Sequence, residues 1–112
     1  MKNKKEALMH IQINTDHNIH GDERLAEVCE ELVTSTLAPI ASRLTRVEVH
    51  VKDMRGPKGG EDIRATVEAR PEGMRPYAVH HDATDITHAV KAASKKLRQR
   101  LEGEFGKRSL HH

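Results

Sequence analysis

The stretch Asp82–Arg108, DATDITHAVKAASKKLRQRLEGEFGKR, decides how the rest of the chain is arranged. Ile86, Ala89, Val90, Ala93, Leu97 and Leu101 recur at three- and four-residue steps, which stacks them on one face of a helix and leaves the other face to charge. The spacing predicts an amphipathic helix of about six turns. On its wheel Lys91, Lys95 and Arg98 lie opposite the apolar stripe, Lys96, Arg100 and Lys107 flank it on one side, and Arg108 closes the run. Glu102 extends the Lys91, Lys95, Arg98 row, four residues after Arg98, at ion-pair spacing. A row of cations with few acidic neighbours suits a polyanionic partner, although a solvated helix face is the simpler account of any charge run.

Working outward, Tyr77–His81 reads as a short strand, with Asp82 placed to cap the helix and Asp85 to support its positive end. Pro71–Arg75 (PEGMR) turns the chain. Glu61–Arg70 alternates, with Ile63, Ala65, Val67 and Ala69 on one side and Arg64, Thr66, Glu68 and Arg70 on the other. Arg46–Lys52 (RVEVHVK) does the same, with Val47, Val49 and Val51 inward. Asp53–Gly60 (DMRGPKGG) carries turn chemistry throughout, so these two strands form a hairpin.

The first half repeats the logic. Leu8–Asn14 alternates, with Met9, Ile11 and Ile13 on one side, and Thr15–Asp22 is turn-rich. Asp22 is placed to cap a helix whose stripe is Leu25, Val28, Cys29, Leu32, Val33 and Thr36, with Glu23, Glu27 and Glu30 facing out. Pro39 ends or kinks that helix, because proline removes a backbone donor and clashes with the preceding turn. The order is β-α-β-β-β-α. A strand entering through a helical crossover runs parallel to its neighbour, and the meander adds antiparallel ones. Both helices must cover the same apolar sheet face, so the expected fold is α+β, a two-layer sandwich with a four-stranded mixed sheet and both helices on one face.

A chain of 112 residues makes one domain. The expected boundaries are a lysine-rich arm over 1–7, the domain over 8–106 and a tail over 107–112. The formal charge of +2 is too small for an indiscriminate binder of nucleic acid. Its distribution is uneven. Between Gly21 and Arg43, five acids face two arginines, a net of −3; between Asp85 and Arg108, seven cations face three acids, a net of +4. One helix is acidic and the other basic. The lone cysteine, Cys29, excludes an intramolecular disulfide, and no apolar run approaches a signal or membrane-spanning length, so a soluble cytoplasmic protein is expected. With Tyr77 and Phe105 the only aromatics, stacking of unpaired bases on the sheet is not expected, and any nucleic-acid contact should be to phosphate and shape.

No catalytic set emerges. His80 and His81 are adjacent on a strand and point to opposite faces, and His17 and His20 lie in a loop without a cysteine or clustered carboxylates, so no metal site is expected. Cys29 sits on an apolar stripe, where a thiol stays protonated. Glu30 and Glu31 are on an exposed helix face. Lys58-Gly59-Gly60 lacks the helix start of a nucleotide cradle and reads as a hairpin loop. No cofactor and no small-molecule substrate are expected.

The segments IQINTDHNIHGDERL, LTRVEVHVKD, KGGEDIRATVEAR and AVKAASKKLRQRL, in this order and spacing, resemble the ribosome hibernation-promoting factor family, which includes ribosome-associated inhibitor A. The resemblance covers about Met9–Leu101 and implies a β-α-β-β-β-α domain that binds the small ribosomal subunit in the channel used by messenger and transfer RNA. It implies rRNA contacts through the matching helix, here Lys91, Lys95, Lys96, Arg98 and Arg100, with Lys107 and Arg108 extending the patch. Glu102 and Glu104 depart from the basic tail of many members, and the first helix is acidic outward. The chain ends where longer members add a second domain, so it resembles the short forms and is expected to be monomeric off the ribosome. The alternatives are a free-standing double-stranded RNA-binding module, opposed by Asp82 and Asp85 at the last helix start, and a protein-binding regulatory domain in which the acidic helix meets a basic partner.

Overall fold

A computed structural model describes residues 9–16, 23–54 and 62–110. Its elements are β1 (His10–Thr15), α1 (Glu23–Leu37), a 3₁₀ segment (Ala38–Arg43), β2 (Leu44–Asp53), β3 (Ile63–Pro71), β4 (Tyr77–Ala83) and α2 (Ile86–Leu110). The sheet order is β1-β2-β3-β4, with β1 parallel to β2 and the other pairs antiparallel. This is the expected α+β sandwich. The expected arm over 1–7, the cap at Asp22, the histidines at 17 and 20 and the Lys58-Gly59-Gly60 loop lie outside the described residues.

Register follows from the alternation. Ile13, Val49, Val67 and Val79 line up across the four strands, flanked by Ile11, Val47, Ala69 and Tyr77. A one-residue slip would send every one of these to the wet face, so the apolar period excludes every odd-numbered shift from this pairing. A bulge between Leu44 and Arg46 interrupts the β2–β3 ladder, and there the Thr45 hydroxyl donates to the Arg70 carbonyl at 3.0 Å. α2 lies over β3 and β4, and α1 lies beside α2 on the β1 side of the same face. Cys29, Val33 and Leu37 of α1 and Ala89, Val90, Ala93, Leu97 and Leu101 of α2 close onto Val47, Val49, Val51 and Val67. Burial raises the pKa of the Cys29 thiol, which keeps it a small apolar core group.

α1 stops at Leu37, two residues before Pro39, and the chain tightens into the 3₁₀ segment that still buries Ile40 and Ala41. The start of α2 differs from expectation. β4 continues to Ala83, and Asp82 belongs to it, held by Arg64 across the strand pair through Nε at 2.8 Å and Nη2 at 3.1 Å. Asp85 is the cap instead: its Oδ1 accepts the His88 amide at 2.9 Å, and its carbonyl accepts the Ala89 amide at 3.1 Å. Asp82 serves the sheet because its side chain shares the outer face with Arg64, its partner in the register. The tail expected from Lys107 begins as helix, so Lys107 and Arg108 lie in the last turns of α2.

Candidate nucleic-acid interface

The cations of α2 fall into three groups, because the helix meets a different neighbour on each side. Lys91 and Lys95 are exposed on the outward face and have no ion pair among the described residues. They form the solvent-facing part of the expected row.

Arg98 does not continue that row. Its Nη1 donates to the Thr36 carbonyl at 3.5 Å, its Nε lies 3.9 Å from Glu102 Oε2, and only 31% of its side chain is exposed. The reason is that Ser94 and Phe105 are also buried, which widens the apolar arc of α2 toward α1 and leaves Arg98 at the edge of the helix–helix seam. Thr36 is in the last turn of α1, where carbonyls lack intrahelical donors and a cation is favoured.

On the opposite flank α2 runs along β4, the edge of the sheet. Lys96 Nζ donates to the His80 carbonyl at 3.0 Å, tying the helix to that strand. Farther along, the Arg100 guanidinium carbon lies 5.3 Å from the centroid of the Tyr77 ring, and Arg75 approaches the same ring at 5.4 Å. Lys107 sits 3.8 Å from Glu104, and Arg108 is exposed. Arg43, from the 3₁₀ segment, lies over Phe105 at 3.8 Å.

Arg43 and Arg75 escape sequence reasoning because each joins α2 only through the fold. The one local signal is Arg75 two residues before Tyr77, a spacing that puts both on one side of an extended chain.

Charge elsewhere is arranged differently. The outward side of α1 carries exposed Glu23, Glu27, Glu30 and Glu31, next to the basic helix in the same layer. On the open sheet face Arg46 pairs with Glu48 and also donates to Gln12 at 3.3 Å. Arg64 holds the Asp82 carboxyl below the usual carboxylate range, chiefly by hydrogen bonding. The His88 backbone amide, and then its ring, do the same for Asp85. Among the described residues no three His, Cys, Asp or Glu side chains converge to hold a metal ion, and no helix is long and apolar enough to cross a membrane.

A four-stranded mixed sheet is thus covered on one face by an acidic and a basic helix, with cations collected along the second helix. Residues 11–109 match the family model described as sigma 54 modulation protein / S30EA ribosomal protein. The chain belongs to that ribosome-associated family, to which the ribosome hibernation-promoting factors belong. A ribosomal subunit interface protein from Coxiella burnetii shares the fold with a TM-score of 0.71 at 15% identity, over 88% of this chain and 99% of that one. The N-terminal domain of Thermus thermophilus Protein Y does so with a TM-score of 0.64 at 16% identity, over 82% and 94%. No curated protein matches the chain in sequence.

Proposed function

We propose that this chain is a hibernation-type factor that occupies the messenger- and transfer-RNA channel of the small ribosomal subunit. It contacts rRNA phosphates through α2 and blocks translation without catalysing a reaction. The observation that supports this most directly is that Lys91 and Lys95 stand exposed on the outward face of α2 without an ion pair among the described residues. Lys96 and Arg100 extend the cationic surface along the β4 flank, Lys107 and Arg108 carry it into the last turns of α2, and family membership names the ribosome as the setting. The acidic side of α1 turns phosphate away, which gives the domain one orientation on RNA. The domain works in the cytoplasm as a monomer until it meets a subunit.

Asp85 at the start of α2 disfavours the double-stranded RNA-binding alternative, whose cations gather at that helix start. The test is co-sedimentation with purified small subunits over a salt series. With about five phosphates neutralised, log affinity falls with log salt at a slope of about −4, at 0.7 to 0.9 per contact. Lys91→Glu/Lys95→Glu should abolish sedimentation while leaving the melting curve in place. A slope near zero, or a charge-reversed variant that sediments like the wild type, refutes the proposal.

A further inference from the structure

Both aromatic side chains of this protein carry arginines. Arg75 and Arg100 approach the single tyrosine, Tyr77, at 5.4 and 5.3 Å, and Arg43 lies over the single phenylalanine, Phe105, at 3.8 Å. Arg64, in contrast, gives both Nε and Nη2 to the Asp82 carboxylate, and Arg46 gives Nη2 to Glu48. The difference decides what each arginine can still bind. A carboxylate uses up the guanidinium fork, whereas an aromatic face steadies the cation and leaves its in-plane N–H donors free for a second ligand. Neither Arg75 nor Arg100 has an ion pair among the described residues.

The ring that holds them is itself fixed, since Tyr77 is 8% exposed and begins β4. Arg75 is delivered by the turn after β3, in which the Met74 amide donates to the Pro71 carbonyl at 3.2 Å and Gly73 adopts φ 76°. That backbone angle penalises any residue with a Cβ, so the glycine sets the path by which Arg75 returns to the ring. Arg100 arrives independently, from α2. Two like charges gathered on one ring repel each other, and a shared anion would relieve the repulsion. Glu72, in the same turn, is exposed and makes no side-chain bond to either arginine, and Glu104 is engaged by Lys107.

We infer that Arg75 and Arg100, seated on Tyr77, form a fork for the phosphodiester backbone of RNA at the end of the sheet, distinct from the Lys91 and Lys95 face. This rests on the RNA partner proposed above, and adds Arg75 to the contact surface with the buried Tyr77 ring as its support. Lysines at these positions would keep the charge and lose the planar fork.

With one tyrosine and no tryptophan in the chain, intrinsic fluorescence reports on Tyr77. Inorganic polyphosphate, which does not absorb where tyrosine does, is titrated into the whole chain. Emission should change saturably in the wild type and in Lys91→Gln/Lys95→Gln, and stay flat in Arg75→Gln/Arg100→Gln. Unchanged emission in the wild type, or the same titration in the arginine variant, overturns the fork. Thermal melting checks that the arginine variant is folded. In co-sedimentation with small subunits, that variant should show a salt slope shallower by about 1.5, two contacts' worth. If the wild type fails to sediment but Tyr77 still responds to polyphosphate, the anion site stands and the ribosomal proposal falls. If the wild type sediments while Tyr77 is silent and the slope is unchanged by the arginine substitutions, the fork alone falls.

Discussion

Arg98 and Lys95 lie one helical turn apart in different surroundings, and replacing each by alanine separates the stability of the fold from the RNA contact proposed for Lys95. Arg98 donates to the Thr36 carbonyl at 3.5 Å, and its stem lies in the α1–α2 seam. A hydrogen bond from a charged donor contributes about 1.5 to 3 kcal/mol, and this one, at the limit of length, belongs at the low end. A cation at a helix C-terminus adds about 0.3 to 1 kcal/mol, and the buried stem adds packing. Arg98→Ala should therefore cost about 2 kcal/mol. Domains of this size are stable by about 5 to 15 kcal/mol, so the loss is large, roughly an 8 to 10 °C fall in melting temperature. Lys95→Ala, at an exposed position without an ion pair among the described residues, should stay within about 0.5 kcal/mol. Urea unfolding of both variants measures the difference, and subunit co-sedimentation below the lower transition measures binding. The expected pattern is a destabilised Arg98→Ala that still binds when folded, and a stable Lys95→Ala that binds less well. An Arg98→Ala protein with an unchanged urea midpoint and the binding defect of Lys95→Ala would show that Arg98 belongs to the outward row and that its bond to Thr36 is wrong.

Other substitutions probe the rest of the frame. Ser94 is fully buried and its hydroxyl has no hydrogen-bond partner among the described residues, so Ser94→Ala should raise stability by about 1 kcal/mol in urea unfolding. Leu97 is fully buried beneath α2, and Leu97→Ala should cost about 2 to 5 kcal/mol by the same measurement. Asp85 is held below the usual carboxylate pKa by the His88 amide, so its cap contributes fully above the unfolded value, about 3.9, and is lost as pH falls through the folded one. Asp85→Asn should keep the neutral-pH cap and flatten stability between pH 5 and 2, about the range in which carboxylates titrate, whereas Asp85→Ala should lower the urea midpoint at pH 7 as well. Gly73→Ala should destabilise the β3–β4 turn by about 1 kcal/mol, seen as a lower melting temperature.

Much of the fold was legible because it depends on period. Alternation over β2 and β3, where Val47, Val49 and Val51 face Ala69, Val67 and Ala65, needs no tertiary information to read. Pro39 marked the end of α1 for an equally local reason. The start of α2 was harder, since Asp82 and Asp85 both satisfy the capping pattern and only the strand partner Arg64 distinguishes them.

The site was less legible than the fold. Lys91 and Lys95 are where the wheel puts them, but Arg98 is drawn aside by a neighbour that the wheel does not contain. Lys96 is tied to β4 by a carbonyl sixteen residues earlier in the chain. Arg43 and Arg75 gave no helical signal at all.

The sequence by itself determined the elements, their order, the side of each strand that faces the core and the opposite charge of the two helices, because hydrophobic period and local turn chemistry act over a few residues. Only the tertiary structure decided which cations of α2 lie against a neighbouring element. Whether an arginine meets a carboxylate, a helix-end carbonyl or an aromatic ring depends on which elements pack side by side, and those contacts join residues as distant as Thr36 and Arg98.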